Sequence, residues 1–184
     1  MKRIEKNHGH WQLRGDLRDI LIECRAEEST RYAISGIHVG ENVLASTDGR
    51  RLVELQATHK IPEGNYFCTT DGFLLNTIEG NFPKYKDIIP EKSTLKKIVE
   101  VSAAGGNIIG LILGELCHAG CIIKLSLYEK PIEILSKAIC GNCKVYVNKD
   151  SAADHPFMIE VETSFGDLRY IQMPINVENE VKDK

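Results

Sequence analysis

Cysteine and histidine residues are the side chains in this sequence whose types and spacing could hold a metal ion. Three residues separate Cys117 from Cys121, two separate Cys140 from Cys143, and His118 lies beside the first pair. Thiolate and imidazole ligands suit the tetrahedral geometry of zinc. A small zinc or thiol protein is therefore one hypothesis, and it requires the two cysteine pairs to converge in the fold.

The local sequence favours a structural interpretation of the second cysteine pair. An apolar-periodic stretch precedes Cys140, and valines alternate with polar residues after Cys143. Gly141 would then cap the end of a helix, and a strand would begin after it. Because residues 1–9 are polar and basic and provide no secretory signal, we expect all six cysteines to be reduced thiols.

The remaining polar residues do not form a recognisable catalytic motif. The sequence has no glycine-rich phosphate loop, no HExxH, no GxSxG and no convincing pair of carboxylates. Asp48 and Asp71 each precede a glycine, and turn formation explains both. We therefore expect a protein that acts by binding, with no active site and no cofactor.

The composition is that of an ordinary soluble protein. The chain has 184 residues, 42% of them hydrophobic, and a formal net charge of −3, which suits one large domain or two small ones. This total charge does not indicate nucleic-acid binding, although a basic face on an acidic body would still bind phosphates. No run reaches the roughly 18 apolar residues of a membrane span, so we expect a cytoplasmic protein without a membrane partner.

Hydrophobic periodicity predicts a helix followed by an antiparallel meander in the first half. One helical face carries apolar residues at Leu13, Leu17, Ile20, Leu21 and Cys24. Short apolar runs between turn signals predict strands at 32–39, 43–47, 51–56, 66–70 and 73–78. The Asp48-Gly49 turn between two of these strands is the strongest hairpin signal in the chain.

A similar order of elements is predicted for the second half. We expect a strand at 95–102, then a buried helix at 107–120, for which a strand pair is the alternative. A strand at 121–128 and an amphipathic helix beginning at Pro131 would follow. Three final strands are predicted at 144–148, 157–162 and 168–174.

Between the halves, prolines bracket the segment FPKYKDIIP at residues 82–90. Such a segment should be extended, and it should not be a helix interior or a central strand. We therefore predict an α+β protein with antiparallel sheets and amphipathic helices on one face. Its units would be 1–81 and 93–176, joined by a connector at 82–92 and followed by a flexible tail at 177–184.

Four segments, in the same order, resemble the bacterial sliding clamp, the beta subunit of DNA polymerase III. Residues 46–52, STDGRRL, are similar to the TDG-x-R-L hairpin of that family, and FPKYKDIIP is similar to its F-P-x-Y segment ending in proline. Residues 31–36, RYAISG, resemble its R-Y-x-L-x-G strand, and residues 170–175, YIQMPI, its Y-x-x-M-P-x ending. The resemblance implies a DNA-clamp-like fold of repeated helix-and-strand units, without the amino-terminal domain of the family.

In that family the four segments line a groove that binds short clamp-binding peptides of polymerases and repair proteins. At the matching positions, the resemblance implies peptide-binding roles for Arg31, Thr47, Gly49, Arg50, Arg51, Leu52, Pro83, Ile88, Met173, Pro174 and Ile175. Arg50 stands where a histidine is common, and Lys86 and Asp87 stand where basic residues are common. The apolar members could form a slot for leucine or aromatic anchors, and the alternative is that they only pack two units together.

In clamps the helices line the hole of a ring and contact DNA phosphates without reading bases. The resemblance implies that role for Arg14, Arg18 and Lys137, and it also implies a homo-oligomer, as a ring or an open arc. Such a protein would be a processivity factor that tethers replication or repair enzymes to DNA. The alternative is a non-encircling adaptor or competitor that binds clamp-binding motifs.

Overall fold

The computed structural model describes residues 4–7, 9–28, 33–102 and 108–174. The first part of the chain forms β1 (Ile4–Asn7), β2 (His10–Leu13), α1 (Gly15–Glu23), β3 (Ile37–Gly40), β4 (Val43–Thr47), β5 (Arg51–Gln56), β6 (Gly64–Cys68) and β7 (Phe73–Thr77). The second part forms β8 (Leu95–Ser102), α2 (Ile108–His118), α3 (Leu125–Ala138), β9 (Ile139–Asn148), β10 (Phe157–Thr163) and β11 (Gly166–Gln172). Two short 3-10 helices, Tyr85–Ile88 and Lys92–Thr94, lie between the two parts.

The strands of the described residues form one antiparallel sheet. Its order is β1-β2-β7-β6-β3-β4-β5-β11-β10-β9-β8, so β1 and β8 are its edges. Near the middle, β5 pairs with β11, and the ladder aligns Arg51 with Gln172 and Gln56 with Asp167. This pair joins the two parts of the chain, and the arrangement confirms the predicted α+β class with an antiparallel sheet.

The main hydrophobic core lies between the sheet and the helices. Successive strand residues point to opposite faces, and on this face Val53 and Tyr170 are completely buried against helical side chains such as Leu17 and Ile132. Burying a leucine or isoleucine side chain stabilises a fold by about 1.5–3 kcal/mol. Leu17, Ile20 and Leu21 of the predicted apolar face are buried in α1, whereas Leu13 belongs to β2 and Cys24 caps the end of the helix. The predicted buried helix at 107–120 is present as α2.

A second cluster of buried residues lies on the opposite face of the sheet, and we call it the outer cluster. It consists of Ala45, Leu52, Tyr85, Leu95, Met158 and Ile171. Tyr85 belongs to the predicted connector, which therefore crosses this face. The connector is not fully extended as predicted, because the Asp87 N–H donates to Lys84 O at 3.0 Å and closes a 3-10 turn.

The helix α3 begins earlier than predicted. Residues 121–124 are irregular and α3 starts at Leu125, so the strand expected at 121–128 is wrong and Pro131 lies inside the helix. Proline has no N–H, which leaves the carbonyl four residues earlier without its helical donor. That carbonyl belongs to Leu127, and the Tyr170 hydroxyl donates to it at 2.9 Å. The helix tolerates Pro131 because a strand on the sheet supplies the missing hydrogen bond.

The predicted glycine cap at Gly141 is also wrong. α3 ends at Ala138 and β9 begins at the next residue, so Gly141 lies within the strand, in an irregular part where residues 140–142 of β9 are opposite Glu162 of β10. A Cβ atom on Gly141 would lie 2.2 Å from Glu162 Oε2. The same carboxylate oxygen accepts the Asn142 N–H at 3.1 Å. Glycine leaves room here for the Glu162 side chain, and it does not cap a helix.

Several strand limits differ from the predictions. The hairpin of β1 and β2 was not predicted, and it turns at Gly9, which has a φ of 84°. β9 begins five residues earlier than predicted, and β11 spans Gly166–Gln172 instead of 168–174. The predicted tail and Tyr32 lie outside the described residues. Among the described helices, none is long and apolar enough to span a membrane.

Replacing Tyr170 with phenylalanine tests the hydrogen bond to α3. The Leu127 carbonyl would lose its donor, so we expect Tyr170→Phe to lower the free energy of unfolding by about 1–3 kcal/mol. Urea unfolding followed by circular dichroism measures this change. Tyr66→Phe is the matched control, because the Tyr66 hydroxyl bonds to Pro62 O at an exposed position, and it should cost less than about 0.5 kcal/mol. Equal losses from both variants would contradict the role given to Tyr170.

Candidate peptide-binding site and helix surface

The hairpin between β4 and β5 is held by its own side chains. Gly49 has a φ of 85°, which favours glycine at the turn. Asp48 Oδ1 accepts the N–H groups of Arg50 and Arg51 at 2.8 and 2.7 Å. Thr47 Oγ1 donates to Arg51 O at 2.6 Å and accepts the Gly49 N–H at 3.0 Å. Thr47 and Gly49 therefore shape the turn itself.

The Arg51 side chain points toward the helices and is only 8% exposed. Its Nε lies 2.8 Å from Asp48 Oδ2, and its Nη1 lies 3.2 Å from Glu23 Oε1. Nη2 donates to Glu23 O at 2.9 Å, near the carboxyl end of α1. Lys130 of α3 approaches the other oxygen of the Glu23 carboxylate at 2.6 Å. Arg51 thus anchors the hairpin to α1, and Glu23 links α1 to α3 through Lys130.

The connector is fixed to the outer face by aromatic side chains. The rings of Phe82 and His38 stack with centroids 4.9 Å apart, and Tyr85 meets Phe82 edge-on at 5.7 Å. Burial raises the pKa of Tyr85 to about 12, and the nearby Glu54 carboxylate adds to the shift. The Tyr85 hydroxyl therefore stays protonated at neutral pH.

The predicted peptide-binding residues occupy three segments that meet around the outer cluster. Leu52 is 1% exposed and forms part of the floor with Ile171. Ile88 is 39% exposed, whereas Pro83, Met173 and Pro174 are half-buried. The backbone carbonyl of Arg50 accepts the Met173 N–H at 2.9 Å, which joins the hairpin to the end of β11. The Arg50 side chain is exposed. Arg31 and Ile175 lie outside the described residues.

The three cations expected to contact DNA are all paired with nearby side chains. Arg14 forms an ion pair with Glu5, and Arg18 Nε lies 2.6 Å from Asp19 Oδ1. Lys137 Nζ lies 2.6 Å from Glu133 Oε1. Within their spans, the three α-helices contain three Lys or Arg residues and six Asp or Glu residues. The described helical surface is therefore acidic in sum.

The described residues do not bring the cysteines together as a zinc site. No three His, Cys, Asp or Glu side chains within those ranges are grouped to hold a metal ion. Cys143 is buried in the sheet, while Cys117 and Cys140 are exposed. Burial raises the pKa of Cys143 to about 11 and, with a contribution from Cys117, that of Cys121 to about 11. The thiols of Cys143 and Cys121 are therefore protonated at neutral pH.

A row of charged residues, which the sequence did not predict, crosses the outer face. Arg169 of β11 lies between Glu54 of β5 and Glu160 of β10. Its Nη1 is 3.2 Å from Glu54 Oε2, and its Nε is 3.3 Å from Glu160 Oε1. The Glu54 side chain is 3% exposed, and Arg169 is the cation that pairs with its buried carboxylate. Glu54 and Arg169 are 115 residues apart in the chain, and no local pattern connects them. The row crosses the junction of β5 and β11 and stabilises it.

The architecture is that of the bacterial sliding clamps. The chain aligns with the DNA polymerase III subunit beta from Borrelia burgdorferi with a TM-score of 0.56 and 12% identity, over 88% of this chain and 60% of that one. It aligns with the DNA polymerase sliding clamp from Bacillus subtilis with a TM-score of 0.53 and 15% identity, over 96% and 66%. The DNA polymerase III subunit beta from Pseudomonas aeruginosa gives a TM-score of 0.54 and 13% identity, over 86% and 64%.

These alignments confirm the clamp-like fold that four short segments suggested. The chain spans less than two thirds of the length of each of the three structures. By sequence, no protein family and no curated protein matches the chain.

Removing the Arg51 guanidinium tests the anchor between the hairpin and the helices. Arg51→Met would leave the largely buried carboxylates of Asp48 and Glu23 without this cation, so we expect the free energy of unfolding to fall by about 2–3 kcal/mol. Guanidinium chloride unfolding followed by tryptophan fluorescence measures the loss. Arg50→Met, at the exposed neighbouring position, should change stability by less than about 0.5 kcal/mol. If Arg51→Met is as stable as Arg50→Met, Arg51 is not an anchor.

Proposed function

We propose that the protein is a sliding-clamp-like processivity factor, which holds a replication or repair enzyme through a short peptide and tethers it to DNA. The observation that carries this proposal is the meeting of the β4–β5 hairpin, the connector and the end of β11 around one apolar floor. These are segments in which the sequence resembles the peptide groove of clamps. The protein would act by binding alone.

The chemistry of this surface suits a short peptide with apolar anchors. Leu52 and Ile171 provide a buried floor, and Ile88 and Met173 provide apolar surface that is still accessible. A few anchors in such pockets dominate the affinity of most interfaces. Methionine adapts its shape to several side chains, which suits a site that receives more than one partner. Arg50 is exposed at the rim and can bind carbonyl or acidic groups of the peptide.

Contact with DNA is the second component of the proposal. Arg14, Arg18 and Lys137 would bind phosphates without reading bases, and the resulting affinity would fall as salt rises. A homo-oligomer would be needed to surround a duplex.

The charge of the helices favours a second candidate function, a non-encircling adaptor or competitor that binds clamp-binding motifs. Six acidic residues against three basic residues repel a polyanion over the helical surface. The peptide site lies on the opposite face of the sheet and is unaffected by this repulsion. A protein of this kind would bind the same peptides in the absence of DNA.

Truncation of Met173 tests the peptide site. We expect Met173→Ala to weaken the binding of a labelled peptide that carries the clamp-binding motif of a bacterial DNA polymerase. The expected loss is about 1–3 kcal/mol, the range for an interface anchor. Fluorescence anisotropy measures the dissociation constant. Leu111→Ala is the control, because Leu111 is 43% exposed on α2, away from the outer face. Equal affinities in wild type and Met173→Ala would argue against this site.

The mass of the protein on circular and linear DNA separates the two candidate functions. For a processivity factor we expect a discrete oligomer that remains on a closed circular duplex and slides off after linearisation, because its hold on DNA is topological. Light scattering on a sizing column measures the mass in each case. If the protein is a monomer whose measured mass does not change with DNA, and it still binds the peptide, the processivity-factor function is excluded and the adaptor is favoured.

A further inference from the structure

A cavity of about 310 Å³ lies beside Ile88, between the end of the connector and the loop that joins β9 to β10. Besides two carboxylates, its lining consists of the apolar residues Ile88, Ile89, Pro90, Leu95 and Pro156 and the polar residues Thr94, Asn148 and His155. Leu95 belongs to the outer cluster, so the floor of the cavity is continuous with a packed part of the fold. A side chain that entered the cavity would meet a preformed surface.

Two carboxylates line this cavity, and no lysine or arginine does. They belong to Asp87 and Glu91. Among the described residues neither carboxylate has a cationic partner, and Glu91 Oε2 is 3.3 Å from the Ser93 hydroxyl, which donates to it. Four lysines are near these residues in the chain, and none of them lines the cavity: Lys84 and Lys86 are exposed on the connector, Lys92 Nζ lies 3.2 Å from Glu160, and Lys149 Nζ donates to Ser93 O at 2.7 Å. The lining of the cavity therefore contains two carboxylates and no lysine or arginine, above an apolar floor at Leu95.

Ile88 connects this cavity to the peptide site. It is one of the predicted peptide-binding residues, it also lines the cavity, and it is 39% exposed. A peptide anchored on Met173 and Ile88 would need only a few more residues to reach Asp87. The flanking part of such a peptide is therefore the ligand that is best placed to enter.

We propose that the cavity binds a lysine or arginine side chain from the segment that flanks the clamp-binding motif of the partner. This inference rests on the proposed peptide-binding function. The aliphatic stem of such a side chain packs on apolar surface while its charged head stays at the rim. There the head pairs with Asp87 and Glu91, and charge-assisted hydrogen bonds to carboxylates are the strong ones.

The same geometry predicts discrimination among partners. An acidic residue at this position would face two carboxylates and would be repelled, and like charges across an interface suppress wrong partners. A short apolar residue would cover the floor and leave both carboxylates unpaired. Partners with basic flanks are thus selected over partners that share only the central motif.

The test compares three labelled peptides by fluorescence anisotropy at low salt. The first carries only the clamp-binding motif, the second adds a Lys-Ile-Lys flank at each end, and the third has glutamate in place of each added lysine. The protein variants are the double substitution Asp87→Asn with Glu91→Gln and a matched control, Glu27→Gln with Glu63→Gln. The control removes the same charge at two exposed positions outside the cavity.

We expect the wild type and the control to bind the lysine-flanked peptide about fivefold more tightly than the motif alone. The cavity variant should bind the lysine-flanked peptide and the motif alone with equal affinity. The glutamate-flanked peptide should bind no protein more tightly than the motif alone does. If the motif alone binds and lysine gives no gain, or the gain survives in the cavity variant, this inference is overturned and the peptide site stands. If no peptide binds, the proposed function fails and this inference fails with it.

Discussion

The antiparallel pairing of β5 with β11 is the interaction on which the rest of this structure depends. It joins strands from the two parts of the chain into one sheet. On the outer face it places Leu52 beside Ile171, which creates the floor under the connector. On the helix face it places Tyr170 where its hydroxyl reaches α3. The buried Glu54 carboxylate pairs with Arg169 across this ladder. A shift in register would leave this carboxylate buried without its cation, which disfavours other registers.

The sheet separates the two surfaces to which function is assigned. The helices cover one face and are acidic in sum, whereas the connector and the hairpin pack on the other face, around the outer cluster where a peptide site is proposed. Because a full sheet lies between them, binding of a peptide does not require a basic helical surface. A clamp-like fold can therefore keep a peptide site even where its helices are poorly suited to DNA.

Arg51 shows how a motif residue acquires a role from its surroundings. Its position in STDGRRL suggested a contact with bound peptide, yet its guanidinium is held by Asp48 and Glu23. Arg50, one residue earlier, points to solvent. Position decides this difference, since Arg50 belongs to the turn and Arg51 is the first residue of β5. The motif therefore combines an anchor for the hairpin with an exposed cation at the rim.

The sequence by itself determined those features whose signals are local: the buried faces of α1 and α2, the hairpin at Asp48-Gly49, and the clamp-like fold through four short motifs. Only the tertiary structure decided that Pro131 lies inside a helix. The hydrogen bond that replaces the missing helical one at Leu127 O comes from Tyr170, which is 43 residues further along the chain. It also decided the close approach of Glu162 to Gly141 and the pairing of Glu54 with Arg169. These contacts join distant parts of the chain, and their partners are defined only when the sheet has formed.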